Sequence, residues 1–238
     1  EGSVRAKQRR RGDDGPNQVL PVLIHGDSAF IGLGVNQATF NLSQTRGYTT
    51  GGTVHLVINN QIGFTTSDLR DMRSSAHCTD LAKMVEAPIF HVNGDDPEAV
   101  CYVIQAALDY RKAFHKDVVI DLVCFRKLGH NEGDDPFLTQ PMMYRKVSQH
   151  PGTRALYADK LLKEGVIKAD EAEAYIQEYR EALDKGEQVE QTRLTDYESK
   201  HRVDWSKYSG QDWREAVSSG LPAADIQRLA DKFTEVPQ

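Results

Sequence analysis

The sequence predicts an α/β domain with a parallel sheet that has helices on both faces, followed by a mostly helical extension. Four short runs are mostly apolar and lack strict alternation, which is typical of strands buried on both faces of a parallel sheet. They lie at residues 19–24, 53–58, 88–92 and 118–123. Helical patterns separate these runs, and such alternation indicates right-handed crossovers within one sheet. We expect the α/β part to span residues 1–150 and the extension residues 151–238.

Periodicity and capping residues mark the crossover helices. Three candidates lie between the strands, at residues 35–45, 80–86 and 96–112. The first carries Val35, Ala38 and Leu42, at the three- and four-residue spacing of one helix face. The third begins with Asp96, a good N-cap residue, and Pro97 at the first helical position.

The extension is polar and helical in pattern. Good helix formers fill residues 154–164 and 169–185, and a glycine follows each segment as a stop signal. A last helix is expected over residues 222–234. Residues 188–211 have no convincing period, and we expect them to run over a surface.

Composition excludes several classes of protein. The 238 residues carry a formal net charge of −6, which argues against a dedicated nucleic-acid binder. No apolar stretch approaches the ~20 residues of a spanning helix, so no membrane partner is expected. Three scattered cysteines without a CxxC pair indicate neither a disulfide framework nor structural zinc. The first residues lack a start Met and a signal peptide, so we expect a piece of a longer chain.

A basic run occupies residues 5–11, and Gly12-Asp13-Asp14-Gly15 follows at once. We expect a solvated loop here rather than a phosphate or nucleic-acid patch.

Polar residues follow three of the predicted strands. They form the segments His25-Gly26-Asp27-Ser28-Ala29, Asn59-Asn60-Gln61-Ile62-Gly63 and Gly129-His130-Asn131-Glu132. Ligands of open α/β sheets bind outside the carboxyl ends of strands. The Asp27 carboxylate and the Asn60 amide oxygen suit Mg²⁺, which shares its remaining positions with phosphate, water or backbone carbonyls. The alternative is that Asp27 caps a helix and Asn60 makes a turn, and spacing alone leaves both interpretations open.

Other polar residues have simpler interpretations. His55 and His91 lie inside strand patterns and are read as hydrogen-bonded core or edge histidines. Cys78, beside His77, has no further support as a nucleophile. The glycines at 26, 32 and 34 do not match G-x-G-x-x-G, and no Walker lysine follows them.

Gly26-Asp27, followed 33 positions later by Asn60 of an Asn-Asn pair, resembles the motif that binds thiamine diphosphate and magnesium. Further segments narrow the resemblance to the E1 components of 2-oxoglutarate dehydrogenase complexes. They are Gly51-Gly52-Thr53, residues 57–66, 87–93 and 95–100, and Gly129-His130-Asn131-Glu132. The likeness is strong to about Pro151 and looser beyond it, and it implies the diphosphate-binding half of the thiamine diphosphate-binding fold.

The resemblance implies roles for individual residues. Asp27 and Asn60 match side-chain ligands of Mg²⁺, and Ile62 matches a backbone carbonyl ligand. The turn that would lie against the diphosphate consists of Gly26, Ser28 and Ala29. His130 matches a histidine near the diphosphate, and the alternative is a loop histidine bonded to backbone. Two departures are that Ser28 stands where the motif has Gly, and that the glutamate expected on the following helix is missing.

The resemblance also implies an activity and partners. Members decarboxylate 2-oxoglutarate with thiamine diphosphate and Mg²⁺ and pass the succinyl group to the lipoyl domain of the E2 succinyltransferase. They act as homodimers with a second E1 subunit, in the cytoplasm if bacterial and in the mitochondrial matrix if eukaryotic. Alternatives are a 2-oxoadipate dehydrogenase, a carboligating 2-oxoglutarate decarboxylase or a non-catalytic module. In this family the catalytic acid–base residues belong to segments outside these residues. We therefore expect no catalytic residue in this chain, and we expect the isolated chain to be inactive.

Overall fold

Four strands form one fully parallel sheet in the order β1-β2-β4-β3. The strands are β1 (Val22–Gly26), β2 (Val54–Asn59), β3 (Ile89–Asn93) and β4 (Val118–Val123). The computed structural model describes residues 1–63, 66, 68–168, 170–187, 189, 204–216 and 218–236. Phe64 and Thr65 of the quoted motif, Ala169 and most of the stretch 188–211 lie outside the described residues. The predicted parallel sheet is confirmed.

Nine α-helices are present in the described part of the chain. They are α1 (Gly2–Arg10), α2 (Gly15–Gln18), α3 (Asp27–Gly32), α4 (Gly34–Leu42), α5 (Pro97–Phe114), α6 (Pro141–Val147), α7 (Thr153–Lys163), α8 (Glu171–Asp184) and α9 (Ala223–Thr234). Short 3₁₀ segments lie at Gly12–Asp14, Leu69–Asp71, Cys78–Val85 and Ser206–Tyr208. The side chain of Asp96 accepts a 3.0 Å hydrogen bond from the backbone N–H of Ala99, so the predicted cap of α5 is present.

Helices cover both faces of the sheet, as predicted. Helix α5 packs on β2, β3 and β4, and the side chains of this layer include Val54, Ala107 and Ile120. On the other face α3, α4 and the 3₁₀ segment Cys78–Val85 pack together over a second cluster that includes Phe30.

Burial on both faces was predicted for every strand and is wrong for β1. Its residues Val22 and Ile24 are 51% and 69% exposed. Strand β1 is at the sheet edge, and one helix about 10 Å wide covers only two or three strands spaced about 4.8 Å apart. Helix α5 lies over the other three strands, so this face of β1 has no cover within the described residues.

The apolar stripe predicted for the first candidate helix, residues 35–45, is present but faces outward. Val35, Ala38 and Leu42 are exposed on α4, whereas Asn36 and Phe40 are buried. Asn36 is buried because its side-chain amide donates to the backbone carbonyls that precede α4, at 2.9 and 3.2 Å. A polar anchor therefore sets which face of α4 packs on the domain.

The N-terminal basic run was predicted as a loop and is helical instead. Arg5 of α1 donates to the backbone carbonyl of Thr49. The buried amide of Gln8 donates to the carbonyls of Val19 and Thr50, at 2.7 and 2.8 Å. These polar contacts replace the apolar stripe by which helices are recognised in a sequence.

The chain divides into two compact units, residues 1–181 and 182–238. The elements described beyond residue 151 are all helical, and the predicted helices correspond to α7, α8 and α9. The predicted boundary after residue 150 separates the α/β part from the helical extension and does not coincide with the division between the compact units. It stays a prediction. None of the described helices is long and apolar enough to cross a membrane.

Candidate functional site at the carboxyl ends of the strands

The predicted ligand residues lie at the ends of neighbouring parallel strands. Gly26, the last residue of β1, is in register with Ile58 of β2. Asp27 follows as the first residue of α3, and Asn60 follows the end of β2. Both residues therefore lie at the carboxyl end of the sheet, where α/β proteins bind ligands.

Asp27 is a buried carboxylate with one free oxygen. It is 2% exposed, and its Oδ2 has no hydrogen-bond donor among the residues that the structure describes. Burial raises the pKa of Asp27, and the backbone N–H groups of Asp27 and Ser28 and the charge of Arg73 oppose this. A buried carboxylate oxygen without a hydrogen-bond donor is energetically costly, and a bound metal ion would neutralise its charge.

The segment after β2 is folded back on itself by its own side chains. The Oδ1 of Asn60 accepts a 3.1 Å hydrogen bond from the backbone N–H of Ile62. The carbonyl oxygen of Ile62 accepts a 3.3 Å hydrogen bond from the Ser28 hydroxyl. The turn foreseen as the alternative for Asn60 is therefore present, and its amide oxygen keeps a second lone pair for a ligand.

The loop after β4 brings His130 to the same edge. Its backbone N–H donates to Asp134 Oδ2 at 2.7 Å, and its carbonyl accepts from Arg126 at 3.2 Å. Gly129 lies so close to the chain that an added Cβ would be 2.0 Å from the Asp134 carbonyl oxygen. His130 and Ile62 line a common cavity of about 40 Å³. The loop is thus fixed by local bonds, with its histidine beside a predicted metal ligand.

Sequence reasoning missed Asp121, a fully buried carboxylate in the middle of β4. Its Oδ1 accepts a 3.0 Å hydrogen bond from Asn59, and its Oδ2 lies 2.8 Å from His91 Nδ1. A lone carboxylate within an otherwise apolar strand was the available signal.

His55 and His91 have polar partners, as the simpler interpretation expected. His91 is bonded to Asp121 at the exposed edge strand. The buried ring of His55 contacts His25 at 3.2 Å and lies 3.5 Å from Asp117. Burial and the neighbouring His55 lower the pKa of His25 to about 4. His25, which precedes the turn at Gly26 and Asp27, is therefore uncharged at neutral pH.

A family model described as "Dehydrogenase E1 component" matches residues 1–197. The chain belongs to this dehydrogenase E1 family. Over all 238 residues it is 53% identical to the 2-oxoglutarate dehydrogenase E1 component of Cupriavidus necator and 52% identical to that of Azotobacter vinelandii. Over 189 residues, 78% of the chain, it is 53% identical to the multifunctional 2-oxoglutarate metabolism enzyme of Mycolicibacterium vanbaalenii, 15% of which is covered. The chain spans 25% of the length of the first two relatives.

Proposed function

We propose that the chain forms the part of a thiamine diphosphate-dependent 2-oxoglutarate dehydrogenase E1 component that binds the diphosphate and Mg²⁺. The observation that carries this proposal is the buried Asp27 carboxylate, whose Oδ2 has no donor among the described residues. It lies at the carboxyl end of β1, beside the segment that holds Asn60 and Ile62. Two side-chain oxygens and a backbone carbonyl are the donor types that Mg²⁺ takes before it completes its shell with phosphate and water.

In this proposal each residue of the site has a limited task. Asp27 supplies the charge and Asn60 a neutral oxygen, and Ile62 offers its carbonyl. Gly26, Ser28 and Ala29 form the turn against the diphosphate, and no described atom lies within 4 Å of a Cβ added at Gly26, which leaves room there. His130 lies near the diphosphate. When bound, thiamine diphosphate supplies the electron sink for decarboxylation of a 2-oxo acid.

The substrate proposed is 2-oxoglutarate, because relatives at 52% and 53% identity carry that substrate in their names. The succinyl group would pass to the lipoyl domain of an E2 succinyltransferase. The relatives reported above come from bacteria, which favours the cytoplasm over the mitochondrial matrix.

A second E1 subunit is proposed as a partner because two apolar surfaces are exposed. One is the stripe Val35, Ala38 and Leu42 on α4, and the other is formed by Val22 and Ile24 on β1. Groups of exposed apolar side chains on one face of an element are typical of interaction sites.

The proposal is tested on the protein in its full natural length. Calorimetry should show thiamine diphosphate binding that requires Mg²⁺ and is lost in a chelator. Carbon dioxide release with ferricyanide as electron acceptor should be faster with 2-oxoglutarate than with 2-oxoadipate. Magnesium-independent binding would contradict the ligand assignment, and preference for 2-oxoadipate would contradict the substrate. The 238 residues alone should give no turnover. Turnover equal to that of the full-length protein would contradict the proposal that this chain supplies only the part of the site that binds the diphosphate and Mg²⁺.

A further inference from the structure

A second group of metal-ligating side chains lies on the sheet face that also carries α3. His77 immediately precedes the 3₁₀ segment Cys78–Val85, His91 lies in β3, and Asp121 lies in β4. One ligand atom from each of the three lies within 4.8 Å of both others. None of the three belongs to the proposed magnesium set.

The sheet fixes the backbone positions of two of the three residues. His91 and Asp121 are directly opposite each other in the register of β3 and β4. The distance of 2.8 Å between His91 Nδ1 and Asp121 Oδ2 is shorter than the roughly 3.3 Å between ligand atoms of a tetrahedral ion with bonds of about 2.0 Å. A small outward movement of one exposed imidazole therefore opens room for an ion.

The carboxylate is oriented from behind. Asn59 donates to Asp121 Oδ1 and leaves Oδ2 directed at His91. Such outer hydrogen bonds hold metal-binding carboxylates in position. Asp121 is 1% exposed, so its charge is costly unless a proton donor or a cation faces it.

The histidines provide the adjustable side of the group. The side chain of His91 is 44% exposed, His77 is also exposed, and their ring centroids are 4.8 Å apart. Because both rings lie at the surface, the rotation needed to reach a common ion would leave the core packing unchanged. Solvent reaches the same side, so water can complete the coordination shell.

We propose that His77, His91 and Asp121 bind a divalent transition-metal ion, Zn²⁺ foremost, through three protein ligands and at least one open position. Two imidazoles with one carboxylate is a ligand set that zinc takes in open sites. Imidazole suits Zn²⁺ rather than Mg²⁺, which prefers oxygen ligands. Binding would link the start of the 3₁₀ segment to the edge of the sheet.

The test is a zinc titration of the full-length protein against a chromophoric chelator, with Mg²⁺ in excess to occupy the proposed magnesium site. We expect one tight equivalent of zinc, with an affinity at least about tenfold lower in His77→Ala and in His91→Ala. The matched control is His115→Asn, which replaces an exposed histidine in the left-handed conformation that Asn tolerates. This control should bind zinc with unchanged affinity.

Cobalt provides a second measurement, since Co²⁺ at such a site absorbs visible light. The absorption should be lost in His91→Ala and kept in Asp27→Asn, which separates this proposal from the magnesium site. Should His91→Ala fail to fold, the exposed His77→Ala carries the test. Equal zinc affinity in His77→Ala and His115→Asn, or no zinc binding by the wild-type protein, would overturn the proposal.

Discussion

The Ser28 hydroxyl donates a 3.3 Å hydrogen bond to the carbonyl oxygen of Ile62 and so joins the turn after β1 to the segment after β2. The contact is close, because a Cβ added at Gly63 would lie 3.1 Å from Ser28 Oγ. The same carbonyl is a proposed metal ligand. Ser28 therefore fixes its position before any ligand arrives, which lowers the entropic cost of binding.

Ser28→Ala should lower the free energy of unfolding by about 0.5–1.5 kcal/mol, because the hydrogen bond between the two strand ends is lost. Urea unfolding with and without Mg²⁺ measures this change. The matched control is Ser148→Ala, whose exposed hydroxyl donates to the backbone carbonyl of Arg145, three residues earlier. It should change stability by less than about 0.5 kcal/mol. An equal loss in both variants would contradict a stabilising role for the hydrogen bond between Ser28 and Ile62.

Asp27→Asn should weaken Mg²⁺-dependent thiamine diphosphate binding more than about a hundredfold. It removes the charged ligand, whereas loss of outer-sphere partners alone typically costs about 10–100-fold. Calorimetry on the full-length protein measures the affinity. Asp109→Asn, an exposed change on α5, is the control and should bind normally. Wild-type affinity in Asp27→Asn would refute the ligand assignment.

The same substitution should stabilise the cation-free protein at neutral pH. Burial raises the pKa of Asp27 above its ordinary 3.8, so the folded protein holds this proton more tightly than the unfolded chain. Stability is therefore lost as the pH rises from the ordinary pKa through the raised one. Asparagine removes this loss. In a chelator, urea unfolding should show that the stability of Asp27→Asn relative to wild type increases from pH 4 to pH 7, and a decrease would contradict the burial effect.

The site residues could be predicted to the extent that chain order determines them. Asp27 and Asn60 directly follow apolar runs, and parallel strands bring such positions to one edge of the sheet. Asp121 could not be assigned a partner in this way, since Asn59 and His91 are 62 and 30 residues distant in the sequence. Their meeting depends on the strand order, which composition does not determine.

The fold was predictable where apolar runs are strong. The prediction failed where polar contacts determine whether a segment is helical or which face of a helix is buried. Helix α1 is fixed by Gln8, whose carbonyl partners lie 11 and 42 residues away. The stripe on α4 was recognised correctly as a helix face, but Asn36 turns the opposite face inward. Periodicity shows that an apolar face exists, and it does not show which surface covers that face.

Arg111 is a buried charged residue that should be costly to replace. It is 3% exposed, and its guanidinium donates to the carbonyls of Gly52 and Thr50 at 3.1 and 2.9 Å, and to that of Pro16. Arg111→Met leaves these acceptors unpaired and should lower the free energy of unfolding by about 3 kcal/mol, as measured by urea unfolding.

The neighbouring Lys112 on α5 is exposed and provides the control for Arg111. Lys112→Met should change stability by less than about 0.5 kcal/mol. A comparable effect of the two substitutions would show that the carbonyls find other donors when the guanidinium is removed.

Cys78 should resist alkylation although it lies close to the site. Burial raises the pKa of its thiol to about 12, and the charges of Asp121 and Asp27 add to the shift. Because the thiolate is the reactive species, iodoacetamide at pH 8 should modify Cys78 at least about a hundredfold more slowly than the exposed Cys101. Mass spectrometry of timed digests gives both rates within one molecule, and in urea the difference should disappear. Comparable rates in the folded protein would contradict the raised pKa and would make Cys78 a candidate nucleophile.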